Sequence, residues 1–238
     1  MASSIRKTII IGLLFLLLTM LTVAQDTGTY QVEIDPANFV AVIDNPYYPH
    51  IAGMKWVYEG QTADGLERVE IEILAETRDI MGVQTTVMRD TVYVADAIVE
   101  DTLDFFAQDQ EGNVWYFGEE VQNFDNGQLT DTAGSWEAGV DGALPGIVMF
   151  GDPTAHTGET YLQEYYVGEA EDAAMLLSVR GTVTVPYGTF EDVVMTYDFN
   201  PLDAESHEIK FFAAGIGEIK TVDLVTGEAF VLLEHVMN

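Results

Sequence analysis

The chain has 238 residues with 40 acidic and 9 basic side chains, a formal net charge of −31. Such a polyanion repels phosphate backbones and anionic lipid, and its few basic residues are scattered, so nucleic acid and anionic membrane surfaces are excluded as partners. Cysteine is absent, which removes disulfides, thiol nucleophiles and cysteine-based zinc sites, while an apolar content of 48% is enough to offset the ordering entropy of a folded core.

The chain opens with Arg6 and Lys7, an apolar run from Ile9 to Val23 and small Ala24. That order predicts a secretory signal peptide over residues 1–24, with retention as a membrane anchor as the alternative, and places the remainder outside the cytoplasm, secreted or periplasmic. The segment holds two of the nine basic residues and no acid, leaving seven against forty in residues 25–238, a net of −33. Residues 25–49 read as a strand or lead-in tied to a single β-rich domain over 25–238.

From there alternation dominates. In "RVEIEI", Val69, Ile71 and Ile73 share one face, and Arg68, Glu70 and Glu72 the other, the pattern of a half-buried antiparallel strand. Comparable segments recur every 10 to 15 residues or so, separated by turn signals such as Asp64-Gly65 and Asp125-Asn126-Gly127. "EDTLDFFAQD" and "NVWYFGEE" read as two arms of a hairpin about Glu111-Gly112. Residues 134–153, rich in Gly and Pro, read as a long ordered loop. Residues 168–179, "GEAEDAAMLLSV", have the composition of a short helix with acids at its start. About eleven strands are too many for a flat open sheet, so the expected fold is all-β, an antiparallel meander curled into a barrel or half-barrel with one short helix.

Chemical signatures are sparse. The four histidines, His50, His156, His207 and His235, are isolated, and neither a G-x-S-x-G elbow nor a phosphate loop is present. Rings and acids concentrate in the same blocks, around 105–120, 134–153 and 163–172. Trp115, Phe117, Trp136 and Tyr166 are therefore the candidate apolar lining of a ligand pocket, and Glu119, Glu137, Asp141, Glu164 and Glu169 the candidate oxygen ligands for calcium or a cationic head group at its mouth. Acids flanking the aromatic strand, Glu100, Asp101, Asp104, Glu119 and Glu120, repel across the hairpin unless water, a cation or a basic side chain intervenes.

The blocks "EDTLDFFAQDQEGNVWYFGE", "GSWEAGVDGALPGIVM", "YLQEYYVGEAEDAA" and "VTVPYGTFEDVV" resemble a group of uncharacterised secreted bacterial proteins carrying them in this order over residues 45–236. At the level of architecture the chain is also similar to outer-membrane lipoprotein carriers, half-barrels that hold an acyl chain between a curved sheet and short helices. Neither resemblance implies a mechanism. The expectation is an exported, non-enzymatic protein binding a small apolar or cationic ligand, with calcium as the candidate cofactor. The alternatives are a carbohydrate hydrolase or lyase using paired carboxylates or a His156–Tyr161 set, and a calcium-dependent structural or adhesive protein.

Overall fold

The computed structural model describes residues 30–237, and from Gln31 onward they form one compact unit. The signal segment expected over 1–24 lies outside the described residues. Among those described, no helix is long and apolar enough to cross a membrane.

Eighteen strands follow in order: β1 (Phe39–Val40), β2 (Lys55–Thr62), β3 (Gly65–Ile80), β4 (Val83–Val94), β5 (Ala97–Asp109), β6 (Val114–Asp125), β7 (Gln128–Asp131), β8 (Trp136–Glu137), β9 (Leu144–Met149), β10 (Thr160–Leu162), β11 (Glu164–Tyr165), β12 (Ala173–Ser178), β13 (Thr182–Val185), β14 (Gly188–Glu191), β15 (Val194–Asn200), β16 (Asp203–Ala213), β17 (Gly217–Asp223) and β18 (Ala229–Val236). Thirteen form one path, β10-β12-β15-β16-β17-β18-β2-β3-β4-β5-β6-β9-β11, with β1, β7 and β8 paired to its flanks and β13 with β14 a separate hairpin. The two ends of the path are neighbours in the chain, since only Gln163 separates β10 from β11. The sheet is therefore nearly closed into a barrel, its two ends joined by the chain at Gln163 and not by a β ladder. This is the all-β barrel that the alternation predicts.

Two local expectations are corrected. Residues 168–179 form no helix: Ala173, Ala174 and Leu176 are buried in β12, which is hydrogen-bonded between β10 and β15, and burial on both sides overrides helix propensity. The described residues contain only two 3-10 turns, Pro36–Asn38 and Pro153–His156. Residues 134–153 are not one loop, because β8 pairs with β6 and β9 lies between β6 and β11.

The hairpin over 105–120 forms with an internal shift. Phe105 opposes Gly118 while Phe106 opposes Tyr116, so Phe117 is the extra residue of a bulge. The bulge turns Tyr116 and Glu119 to the same side, opposite Phe106 and Asp104. Gly118 makes this possible: its φ is +135°, and a Cβ there would lie 2.4 Å from the Trp136 carbonyl oxygen.

The outward face of the sheet holds paired charges. Lys55 meets Glu72 at 3.0 Å, Arg68 meets Glu59 at 3.0 Å and Glu70 at 2.7 Å, and Arg89 meets Asp101 at 2.5 Å. Such exposed pairs contribute roughly 0–1 kcal/mol each; most of the stability lies in the apolar cluster around Phe105, Phe117, Leu176, Ile219 and Leu232.

The seam is held by backbone contacts together with the bond from Gln163 Nε2 to Asp198 at 3.2 Å. Gln163 N–H donates to the Asp172 carbonyl at 2.8 Å, and Glu164 opposes Pro145 across β11–β9. Gly146 packs so closely that a Cβ would lie 2.5 Å from both the Gln163 carbonyl carbon and the Leu162 carbonyl oxygen. Gly146→Ala is expected to wedge the seam and cost roughly 1–3 kcal/mol, read as a lowered thermal midpoint with earlier hydrogen exchange in β9–β11. An unchanged midpoint would contradict the closed seam.

Candidate functional site

In a closed sheet, successive side chains point alternately inward and outward. Here the inward positions on one side of the barrel are polar. A cavity of about 380 Å³ is lined by Met88 and Asp90 from β4, Asp104 and Phe106 from β5, Tyr116 from β6, and Gln163, Glu164 and Asp172 at the seam. Across from them stand Asp198 from β15, Ser206, Glu208, Lys210 and Phe212 from β16, Glu218 from β17, and Tyr48. The lining thus carries seven carboxyl groups and one ammonium.

Some of these groups are satisfied by neighbours. The Tyr116 hydroxyl donates to Asp104 Oδ1 at 2.6 Å. Asp198 accepts from the Thr196 hydroxyl at 2.5 Å and from Gln163 Nε2 at 3.2 Å, and lies 3.5 Å from Lys210 Nζ, which is also 3.4 Å from Glu208. The Thr221 hydroxyl donates to Glu218 at 2.5 Å. Others are not. Glu164 is 7% exposed, yet its Oε2 has no hydrogen-bond partner, and neither does Asp90 Oδ1.

One lysine does not neutralise seven carboxyls, of which Asp104, Glu164 and Asp198 are buried, so part of the interior is relieved by protons. Burial raises Asp104 to about 7, against the lowering effect of the Tyr116 hydroxyl and with Glu100 adding to the rise. Burial, with Asp104 opposite, raises Glu119 to about 8. Glu164 is raised to about 10, by burial first and then by the adjoining Asp172 carboxyl and Glu119. Asp90 is pushed well above the ordinary carboxylate range by burial, then by Asp104 and Glu100. Burial lowers Lys210, but Asp198, Glu208 and Glu218 together hold it well above its usual value, fully charged.

Of the residues singled out from sequence, Glu119 and Glu164 come together here: Glu119 stands opposite Asp104 in the hairpin, and Glu164 lines the cavity at the seam. Glu137 is instead ion-paired with Arg78 at 2.5 Å, and Arg78 also binds Glu120. Asp141 and Glu169 are exposed turn residues. Among the described residues, no three His, Asp or Glu side chains are grouped to hold a metal ion. Trp136 is buried edge-on to Tyr116, with ring centroids 5.4 Å apart. Phe117 and Trp115 alternate with Tyr116, face away from the cavity and pack on Phe39. Tyr166 is partly buried against the core and bridges to Ala170. The rings chosen from sequence therefore support the wall rather than line the space. His156 stacks on Phe150 at 3.8 Å and bonds Glu159 at 2.9 Å, while Tyr161 meets the same Phe150 edge-on at 4.7 Å.

Sequence reasoning missed Asp90, Asp198, Glu208, Lys210 and Glu218, and took Asp104 only as a flanking acid. A signal was present in β16, where Ser206, Glu208, Lys210 and Phe212 share one face, but that face reads naturally as solvent-exposed.

No protein-family model and no curated protein matches the chain. Among solved structures it is similar to a candidate exported protein with a YmcC-like fold from Bacteroides fragilis NCTC 9343, at 14% identity and a TM-score of 0.46, covering 80% of this chain and 99% of that one. It is also similar to a candidate lipoprotein from Parabacteroides distasonis ATCC 8503, at 14% identity and a TM-score of 0.42, covering 81% of this chain and 99% of that one.

The raised carboxyls fix the pH dependence of stability. A carboxyl whose folded pKa exceeds its unfolded value binds more protons in the native state between the two, so stability is complete below the unfolded value and falls as pH rises through the folded one. Moving Asp104 from 3.8 to about 7 corresponds to about 4 kcal/mol lost over that interval. The thermal midpoint is expected to fall from pH 5 to pH 8. Asp104→Asn, which keeps an oxygen for the Tyr116 hydroxyl, should flatten the fall and raise the midpoint at pH 8; an unaltered profile would contradict the burial of an ionisable Asp104.

Proposed function

We propose that this is an exported binding protein that takes a small organic cation into the barrel interior without chemically altering it. The observation that carries the reading is the lining itself, seven carboxyls around one ammonium in a space of about 380 Å³, within the size range of small-molecule sites. A hydrophobic filling would have cost less, because each buried carboxyl must hold a proton or a partner. An ammonium supplies both charge and donors for the unpartnered oxygens of Glu164 and Asp90. Export is read from the leader expected over 1–24. An organic ammonium fits better than a bare calcium ion, which requires 6–8 oxygen ligands about one point.

A second reading draws on the adjoining Glu164 and Asp172 carboxyls, one held protonated beside the other. Glycoside hydrolysis runs on a pair of carboxyl groups facing one cavity, about 5–9.5 Å apart, so oligosaccharide turnover belongs in the test.

Calorimetry on the mature chain with putrescine and spermidine, beside calcium chloride, succinate and cello- and chito-oligosaccharides, separates these readings. The expected result is binding of the amines with proton release, because ammonium displaces protons from Asp104 and Glu164, which line the cavity. Affinity should then rise from pH 6 to pH 9, and Glu164→Gln should weaken it about tenfold, the loss of one buried charge-assisted hydrogen bond. Binding of succinate but no amine would overturn the proposal, and oligosaccharide cleavage would replace it with the enzyme reading.

A further inference from the structure

The acidic chamber has two unlike walls. Lys210, the one basic side chain of the lining, lies 3.5 Å from Asp198 and 3.4 Å from Glu208, both on its own side of the barrel. The wall that runs through β4, β5, β6, β9 and β11 supplies Asp90, Asp104 and Glu164 and no basic side chain. Asp104 is met there by the Tyr116 hydroxyl at 2.6 Å. The other two are not met: Glu164, which is 7% exposed, keeps Oε2 without a partner, and Asp90 keeps Oδ1 enclosed and equally unpartnered. Enclosing an oxygen without a donor is costly.

These two oxygens mark separate points of one cavity. Asp90 is on β4 and Glu164 on β11, with β5, β6 and β9 between them, roughly 19 Å along the curved wall at the ordinary strand spacing and less across the interior. Their surroundings differ accordingly: Asp172 and Glu119 act on Glu164, whereas Asp104, Glu100 and Glu218 act on Asp90. The lining between the two points is partly apolar, with Met88 on β4, Phe106 on β5 and Val148 on β9. A single ammonium satisfies one point and leaves the other unmet.

We infer that the ligand is a diamine held at both ends, one ammonium at Glu164 and the other at Asp90, with its methylene spacer along Met88, Phe106 and Val148. This rests on the chamber being a cation site. Each ammonium supplies donors to an oxygen that has none. The fixed separation of the two acids then selects the length of the spacer, which a diffuse negative field does not do.

The test is calorimetry on the mature chain with butylamine, diaminopropane, putrescine, cadaverine and hexamethylenediamine, with the Asp90 and Glu164 carboxyl carbons followed by NMR and assigned from Asp90→Asn and Glu164→Gln. The best diamine is expected to bind about tenfold more tightly than butylamine, the gain of a second buried charge-assisted hydrogen bond. Affinity should vary about fivefold or more along the diamine series and pass through an optimum. The best diamine should shift both carboxyl signals, and butylamine only one. Asp90→Asn and Glu164→Gln should each reduce that diamine to roughly the affinity of butylamine for the unmutated chain; if a variant does not fold, the spacer series and the carboxyl signals of the unmutated chain decide the matter. An affinity that is flat along the diamine series, or a shift confined to one carboxyl, would overturn the inference and leave the cation site standing. Failure of every amine would remove both.

Discussion

The structure turns on the cost of enclosing carboxyl groups in a closed sheet. A barrel interior normally gains its stability by removing apolar side chains from water, and much of this one does so around Phe106, Phe212, Ile219 and Leu232. Beside that core, Asp90, Asp104, Glu164, Asp172, Asp198, Glu208 and Glu218 face a shared space with Lys210 as their one cation. Raised carboxyl pKa values, the Tyr116 and Thr221 hydroxyls and the Lys210 ammonium are the responses to that enclosure. A chain selected for stability alone has a cheaper solution in leucine or phenylalanine. The proposed ligand site rests on the retention of these acids, because ionisable groups with strongly perturbed pKa values concentrate where ligands are held.

The seam and the hairpin bulge act together in building that site. Closure through Gln163 brings Glu164 and Asp172 against β9 and β12, and the bulge at Phe117 brings Glu119 and Tyr116 to the inward side opposite Asp104 and Phe106. Each device relies on a glycine where a Cβ would collide with backbone, Gly146 at the seam and Gly118 beside the bulge. The inward set therefore comes from strands far apart in the sequence, joined only when the sheet closes.

That assembly explains what could be read from the chain. Alternation as in Val69, Ile71 and Ile73 revealed strands, and their number implied a sheet curled into a barrel or half-barrel. Two faces of a strand are legible from sequence; which one is inside is not, when both carry apolar and polar residues. In β16 the face with Ile209 and Phe211 looks like the core side, yet the Ser206, Glu208 and Lys210 face lines the cavity. Glu119 and Glu164 were reachable because acids and rings cluster around them in sequence. Trp115 and Phe117 were chosen for the same reason, but one residue of alternation separates them from Tyr116 and the cavity. The strand at 173–178 was hidden because its Ala, Met and Leu favour helix until neighbouring strands bury them.

The most direct test of the account is a carbon-13 NMR titration of the side-chain carboxyls from pH 4 to pH 10. The account predicts that Asp104 and Glu119 titrate near 7 and 8, with Glu164 still protonated above both. If every carboxyl of the folded protein ionises below pH 5, the interior is not the proton-holding acidic chamber described, and the functional reading built on it fails.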